Sequence, residues 1–166
     1  MAAIHLERPG DAAAIYAVHA ASFPTDLEAR LVDLLRAAGR LSVSLVAEVD
    51  GAVIGHVGFS PVTATSATAG AGLAPLAVAQ PQRRQGIAAK LVQEGLQACL
   101  IAGFDWAVEL GKPAYYARFG FRPAAEFGLS DEFGGGPAFQ VIELVPGMLP
   151  VEGGLVRYAP EFASFV

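Results

Sequence analysis

Two segments of the chain hold residues whose types and spacing can do chemistry. The first runs Leu76-Ala77-Val78-Ala79-Gln80-Pro81-Gln82-Arg83-Arg84-Gln85-Gly86-Ile87-Ala88-Ala89. It reads as a strand, a tight turn and a helix N-terminus carrying small residues at Gly86, Ala88 and Ala89. The first turn of a helix offers unpaired N–H groups and about half a positive charge, which together suit a phosphate. Small side chains let a diphosphate approach the backbone, and Arg83, Arg84 and Lys90 add cationic charge nearby. The second segment is Glu109-Leu110-Gly111-Lys112-Pro113-Ala114-Tyr115-Tyr116-Ala117-Arg118-Phe119-Gly120-Phe121. Read alone, its adjacent tyrosines fit packing, with hydroxyls reaching water.

Other chemistries find no support. Lys90 lacks both the preceding Gly and the following Ser/Thr of a P-loop, and Gly70-Ala71-Gly72 precedes a strand where a dinucleotide fingerprint would follow one. His5, His19 and His56 are far apart in sequence and no zinc-type spacing occurs, so no metal is expected. Cys99 lies on the apolar side of a helix and reads as a small core residue. The net charge of −5 argues against duplex nucleic acid as a partner. Between Arg83 and Arg122, however, six bases stand against three acids, a local +3 that charge alone reads as a chance cluster of solvated side chains and that can also attract a polyanionic small molecule.

The elements that must position these segments follow from periodicity and punctuation. Ile4 to Arg8 reads as a strand. Asp11 is placed as the N-cap of a helix bearing Ile15, Val18 and Phe23, ended by Phe23-Pro24. Thr25 and Glu28 fit a capping box for a second helix burying Leu27, Leu31, Leu34, Leu35 and Ala38, with Gly39 at its C-terminus. Strands at Leu45–Val49 and Ala52–Val57 flank Asp50-Gly51, a hairpin signal. Residues 63–72 read as a flexible connection and Leu73–Ala79 as a strand. Gly86–Ala102 reads as a helix, Trp106–Leu110 as a strand and Pro113–Phe119 as a short helix. Gly134-Gly135-Gly136-Pro137 is read as loose, and late strands at Phe139–Val145 and Leu155–Tyr158 are expected to finish the sheet. This order is α+β (mixed α/β), not a doubly wound alternation.

The chain has 166 residues, 54% of them hydrophobic and 16% charged, which suits one domain over 1–166 with a substantial core. No apolar run approaches the roughly 18 residues needed to span a bilayer, and the N-terminus lacks a secretory pattern, so a soluble, cytoplasmic protein is expected.

Together the two segments resemble the GNAT superfamily of N-acetyltransferases, which move an acetyl group from acetyl-CoA to an amine. Arg83-Arg84-Gln85-Gly86-Ile87-Ala88 matches that family's Gln/Arg-x-x-Gly-x-Gly/Ala motif, and Leu76-Ala77-Val78 matches the strand before it. Tyr116, four residues before Gly120-Phe121, matches a later motif, and the whole string resembles a bacterial branch of predicted acetyltransferases. Ala88 stands where Gly is commoner, and the chain contains no Asn, so an Asn frequent before the short helix in relatives is missing.

The resemblance implies a central, mostly antiparallel twisted sheet flanked by helices. It implies that Leu76, Ala77 and Val78 hold the pantetheine arm by backbone hydrogen bonds. Arg83, Arg84, Gln85, Gly86, Ile87, Ala88 and Ala89 would then bind the diphosphate, and an amide near Val78 would face the oxyanion. Tyr116 is implied as general acid, and Glu109 is a candidate base, the alternatives being a water chain, His56, or a Glu109 that is only a surface carboxylate paired with Arg or Lys. The expected acceptor is a primary amine of a small molecule or peptide, in a groove built from Phe23-Pro24, residues 60–72 and residues 126–137. Glu126, Asp131 and Glu132 are the acids there, read either as favouring a cation or as a solvated acidic loop. A module of the same fold that binds acyl-CoA without turnover is the alternative, and a homodimer through the late strands is compatible with either.

Overall fold

The computed structural model describes residues 1–150 and 152–165. Its order is β1 (Ala3–Leu6), α1 (Ala12–Ser22), α2 (Leu27–Ala37), β2 (Val43–Val49), β3 (Ala52–Val62), β4 (Gly70–Val78), α3 (Ile87–Ile101), β5 (Trp106–Leu110), α4 (Pro113–Ala117), β6 (Arg122–Pro123), β7 (Leu129–Asp131), β8 (Phe139–Glu143) and β9 (Gly154–Val156). Seven strands form one sheet in the order β1-β2-β3-β4-β5-β8-β6. Every pairing in it is antiparallel except β4 with β5. The expected mixed α+β architecture is present.

Alternation along the strands sends side chains to two faces, and each face is covered by helices. On one, Leu91, Val92, Leu96 and Cys99 of α3 pack against Leu45, Val57, Phe59, Leu73 and Ala107. On the other, Leu31 and Leu35 of α2 join Trp106, Val108, Phe139, Val141, Val156 and Tyr158, while Ile15 of α1 meets Val32 and Val46. Cys99 is fully buried, and burial pushes its thiol up to about 12, so it is a core residue.

Local signals that need only neighbouring residues fold as read. Asp50 and Gly51, at φ 50° and 81°, turn the β2–β3 hairpin. After α2, Gly39 N–H donates to the Arg36 carbonyl and Arg40 N–H to the Leu35 carbonyl, the paired bonds of a Schellman ending.

Other readings are corrected. Asp11 occupies the N-cap position without capping α1, because its Oδ2 accepts from the Arg8 amide at 2.7 Å instead. The Thr25–Glu28 box does not form: Thr25 Oγ1 accepts only the Leu27 amide, at 3.3 Å, and the cap position falls on Asp26. On α2, Ala29 and Val32 are buried in place of Leu34 and Ala38, which face solvent. Gly70–Gly72 belongs to β4, pairing with both β3 and β5, so the connection before β4 is shorter than expected. Leu155 lies in β9, which leaves the main sheet and pairs in parallel with β7. Among the described residues no helix is long and apolar enough to cross a membrane.

Candidate active site

The site begins where two neighbouring strands part. β4 and β5 pair only through Gly70–Gly72 and Trp106–Val108. Beyond that point β4 stays with β3, after a register shift between Val57 and Phe59, and β5 stays with β8 up to Leu110. A wedge therefore opens beside Leu73–Val78. The Ala79 amide donates to the Ile54 carbonyl on β3, so by alternation Leu76 and Val78 turn their peptide groups toward the wedge. Arg83 Nε donates to the Val78 carbonyl at 2.8 Å, tying the following turn back to the strand.

At the end of β4 the chain makes a 3-10 turn over Gln80–Gln82 and enters α3. Arg84 and Gly86 both have positive φ, 63° and 79°. Gly86 takes this left-handed cap conformation without penalty, and nothing lies within 4 Å of where its Cβ would be. Lys90 N–H bonds to the Gly86 carbonyl at 3.1 Å, so the amides of Ile87, Ala88 and Ala89 stand at the open end of the helix. They look into a cleft of about 270 Å³ lined by Val78, Gln82, Arg83, Arg84, Gly86, Ile87, Ala88, Ala89, Tyr115 and Arg118. Tyr115 and Arg118 come from the far side, the guanidinium lying 4.9 Å from the Tyr115 ring centre. The sequence reading missed these two as lining residues, although their adjacency to Tyr116 on one short helix was visible.

Glu109 and Tyr116 are brought together by Gly111. A Cβ added at Gly111 would stand 2.7 Å from Glu109 Oε2 and 2.8 Å from Tyr116 Cε2, so only glycine lets carboxylate and phenol ring close over this backbone. Glu109 is 1% exposed and neither carboxyl oxygen has a hydrogen-bond partner. The alternative of a surface carboxylate in an ion pair is therefore overturned. Burial pushes Glu109 up to about 8. Burial, then the neighbouring Glu109 and Tyr115, hold the Tyr116 phenol above its ordinary value, so it is protonated at neutral pH.

His56 lies elsewhere and is fully buried. The Ser44 hydroxyl donates to Glu7 at 2.7 Å, so His56 Nε2–H donates to Ser44 and His56 Nδ1 accepts from His19 Nε2–H, each at 2.8 Å. This chain is a structural core network. Among the described residues no group of three or more His, Cys, Asp or Glu is placed to hold a metal.

A cavity of about 440 Å³ adjoins the wedge and is lined by Phe23, Glu28, Leu31, Leu73, Ala74, Pro75, Leu76, Leu110, Tyr116, Phe133, Tyr158 and Phe162. Phe23 and Phe133 come from segments expected to build an acceptor groove. Leu31, Tyr158 and Phe162 do not, and residues 60–72 contribute nothing to the wall. The wall is apolar and aromatic. The three acids proposed to attract a cation are all engaged. Glu126 pairs with Arg122, Asp131 accepts the Phe133 and Gly135 amides, and Glu132 accepts the Tyr158 amide.

Residues 12–121 match the acetyltransferase (GNAT) family. The chain is 44% identical over 165 residues to the uncharacterized N-acetyltransferase YhbS of Escherichia coli strain K12, covering 98% of this chain and 99% of that protein. A crystal structure of Escherichia coli YhbS in complex with CoA superposes with a TM-score of 0.94, covering 99% of this chain and 93% of the other. A GNAT family acetyltransferase from Brucella melitensis, solved in complex with acetyl-CoA, is 38% identical with a TM-score of 0.82, covering 98% of each chain.

Proposed function

The chain belongs to the GNAT family of acetyltransferases, and from that premise we propose that it is one acetyltransferase domain. It takes acetyl-CoA as donor and moves the acetyl group to a primary amine by direct attack in a ternary complex. The observation that carries this reading is the wedge between β4 and β5, with the open amides of α3 at one end and the Tyr116 phenol at the other. The residues fit coenzyme A. Its diphosphate meets the amides of Ile87–Ala89 with Arg84 beside them, and the open space at Gly86 admits it to the backbone. Along β4, Leu76 offers its peptide groups to the pantetheine amides as to an added strand, while the Val78 carbonyl is held by Arg83.

Each step then falls to a group in place. The Val78 N–H faces the oxyanion that forms when the amine attacks, a donor of the kind typically worth about 10²–10³ in rate. Tyr116, protonated at neutral pH, gives its proton to the departing thiolate. Glu109, buried, near Tyr116 over Gly111 and outside the cavity wall, is assigned the proton of the amine, taken through water. Once ionised it is basic enough for that task, because burial sets it near pH 8.

Calorimetry with CoA, acetyl-CoA and ATP, followed by thiol release with an amine panel, tests this. Binding of the CoA species in preference to ATP and amine-dependent thiol release are expected. Tight CoA binding without release from any amine would leave the non-catalytic binding reading in its place.

A further inference from the structure

Resting on the acetyl-transfer reading, we propose that the acceptor is a monoamine bearing one bulky apolar group, aryl or branched alkyl, and that Glu28 is the residue that selects it. The cavity beside Tyr116 is walled by four phenylalanine or tyrosine rings besides Tyr116 itself, namely Phe23, Phe133, Tyr158 and Phe162, together with Leu31, Leu73 and Leu110. Such a wall rejects a ligand with several hydrophilic groups, because each would lose its water without gaining a partner. Polyamines, amino sugars and lysine-rich peptides are poor occupants on that ground.

Among the described residues Glu28 is the one acidic or basic side chain in that wall. It sits in the first turn of α2, and its Oε1 is enclosed without a hydrogen-bond partner. That oxygen is an acceptor with no donor, and among the described residues no ion pair engages Glu28. The missing partner matches what the reaction brings, an amine that arrives as ammonium at neutral pH. One carboxylate and a set of rings describe a ligand with one cation and one apolar body. A volume of about 440 Å³ sets its scale at that of a small molecule. Glu28 thus positions the acceptor, and the proton must still leave before attack, so Glu28 governs capture more than turnover.

The test measures kcat and KM with acetyl-CoA for phenethylamine, tryptamine, spermidine and a lysine amide. The arylalkylamines are expected to lead in kcat/KM. Glu28→Gln is expected to raise KM for phenethylamine on the order of 10- to 100-fold with a much smaller change in kcat, and Glu28→Asp to recover part of the loss. Phenethyl alcohol, a neutral isostere, is expected to inhibit the protein and Glu28→Gln equally, and CoA affinity by calorimetry is expected to be unchanged, which shows that the variant is folded. Preference for spermidine or the lysine amide, or a Glu28→Gln variant with normal KM for phenethylamine, overturns the proposal while acetyl transfer stands. Absence of thiol release with every amine overturns acetyl transfer itself and the proposal with it.

Discussion

The cleft at the start of α3 and the cavity beside Tyr116 share the wedge between β4 and β5 but are made in opposite ways. The cleft draws most of its lining from consecutive residues, Val78 to Ala89, and presents main-chain amides whose direction is set by one turn. The cavity draws its lining from α2, the end of α1, β4, β5 and the segment after β9, and presents side chains. Recognition by backbone is encoded locally and tolerates exchange of side chains. Recognition by side chains depends on which distant segments meet, so the cavity can change its ligand without disturbing the cleft.

The largest expected effect separates the two directly. Tyr116→Phe is expected to slow turnover by about 10²–10⁴ while CoA affinity by calorimetry stays within a few-fold. A loss of affinity matching the loss of rate would break the division between holding and reacting.

Glu109→Gln sharpens it further. As the proposed base Glu109 would act only when ionised, so on that proposal the rate is expected to rise with pH and level off above about 8. The variant is expected to lose on the order of 10² in rate and to lose that rising limb. Stability should move the other way. Glu109 has an ordinary value of 4.5 when unfolded and a raised value when folded, so the folded protein loses stability as pH climbs from about 4.5 to about 8. Thermal melts should show Glu109→Gln gaining on the parent at pH 9 and not at pH 4.

On the cleft side, Gly86→Val forces a β-branched residue to φ +79°, a cost on the order of 1–2 kcal/mol that the helix start can relieve by shifting its amides. About tenfold weaker CoA binding is expected, with KM for the amine unchanged. The smallest effect lies in neither region. His19 and His56 are buried and neutral, with His19 held down to about 4 by desolvation. The unfolded chain takes up these protons near its ordinary value of 6.5, so the melting temperature is expected to fall as pH drops from about 6.5 toward 4, with activity at pH 7 untouched.

What could be read from the chain follows the same division. Asp50-Gly51, Gly39 and the Trp106–Leu110 strand were legible because each depends on a few adjacent residues. The turn into α3 was legible as a turn because Pro81 and Gly86 punctuate it, Gly86 standing at positive φ as the helix cap. Glu109 was legible as a candidate but its state was not, since nothing in Glu109-Leu110-Gly111 says that the carboxylate will be covered by Tyr116. The Thr25–Glu28 box misled because Glu28 is drawn into the cavity wall. Tyr158 and Phe162 escaped notice as lining residues because they lie roughly 40 residues beyond Tyr116. They reach it only after β9 leaves the main sheet for β7.

That late excursion has an outcome in time as well as in space. Arg40, just after α2, clasps Glu161 in a two-pronged ion pair, Nε to Oε1 at 2.7 Å, which fastens the stretch bearing Tyr158 and Phe162. As a ribosome extends this chain, β4 and the start of α3 emerge well before this fastening. The residues that close the cavity beside Tyr116 are thus made last, after every residue that lines the cleft at α3.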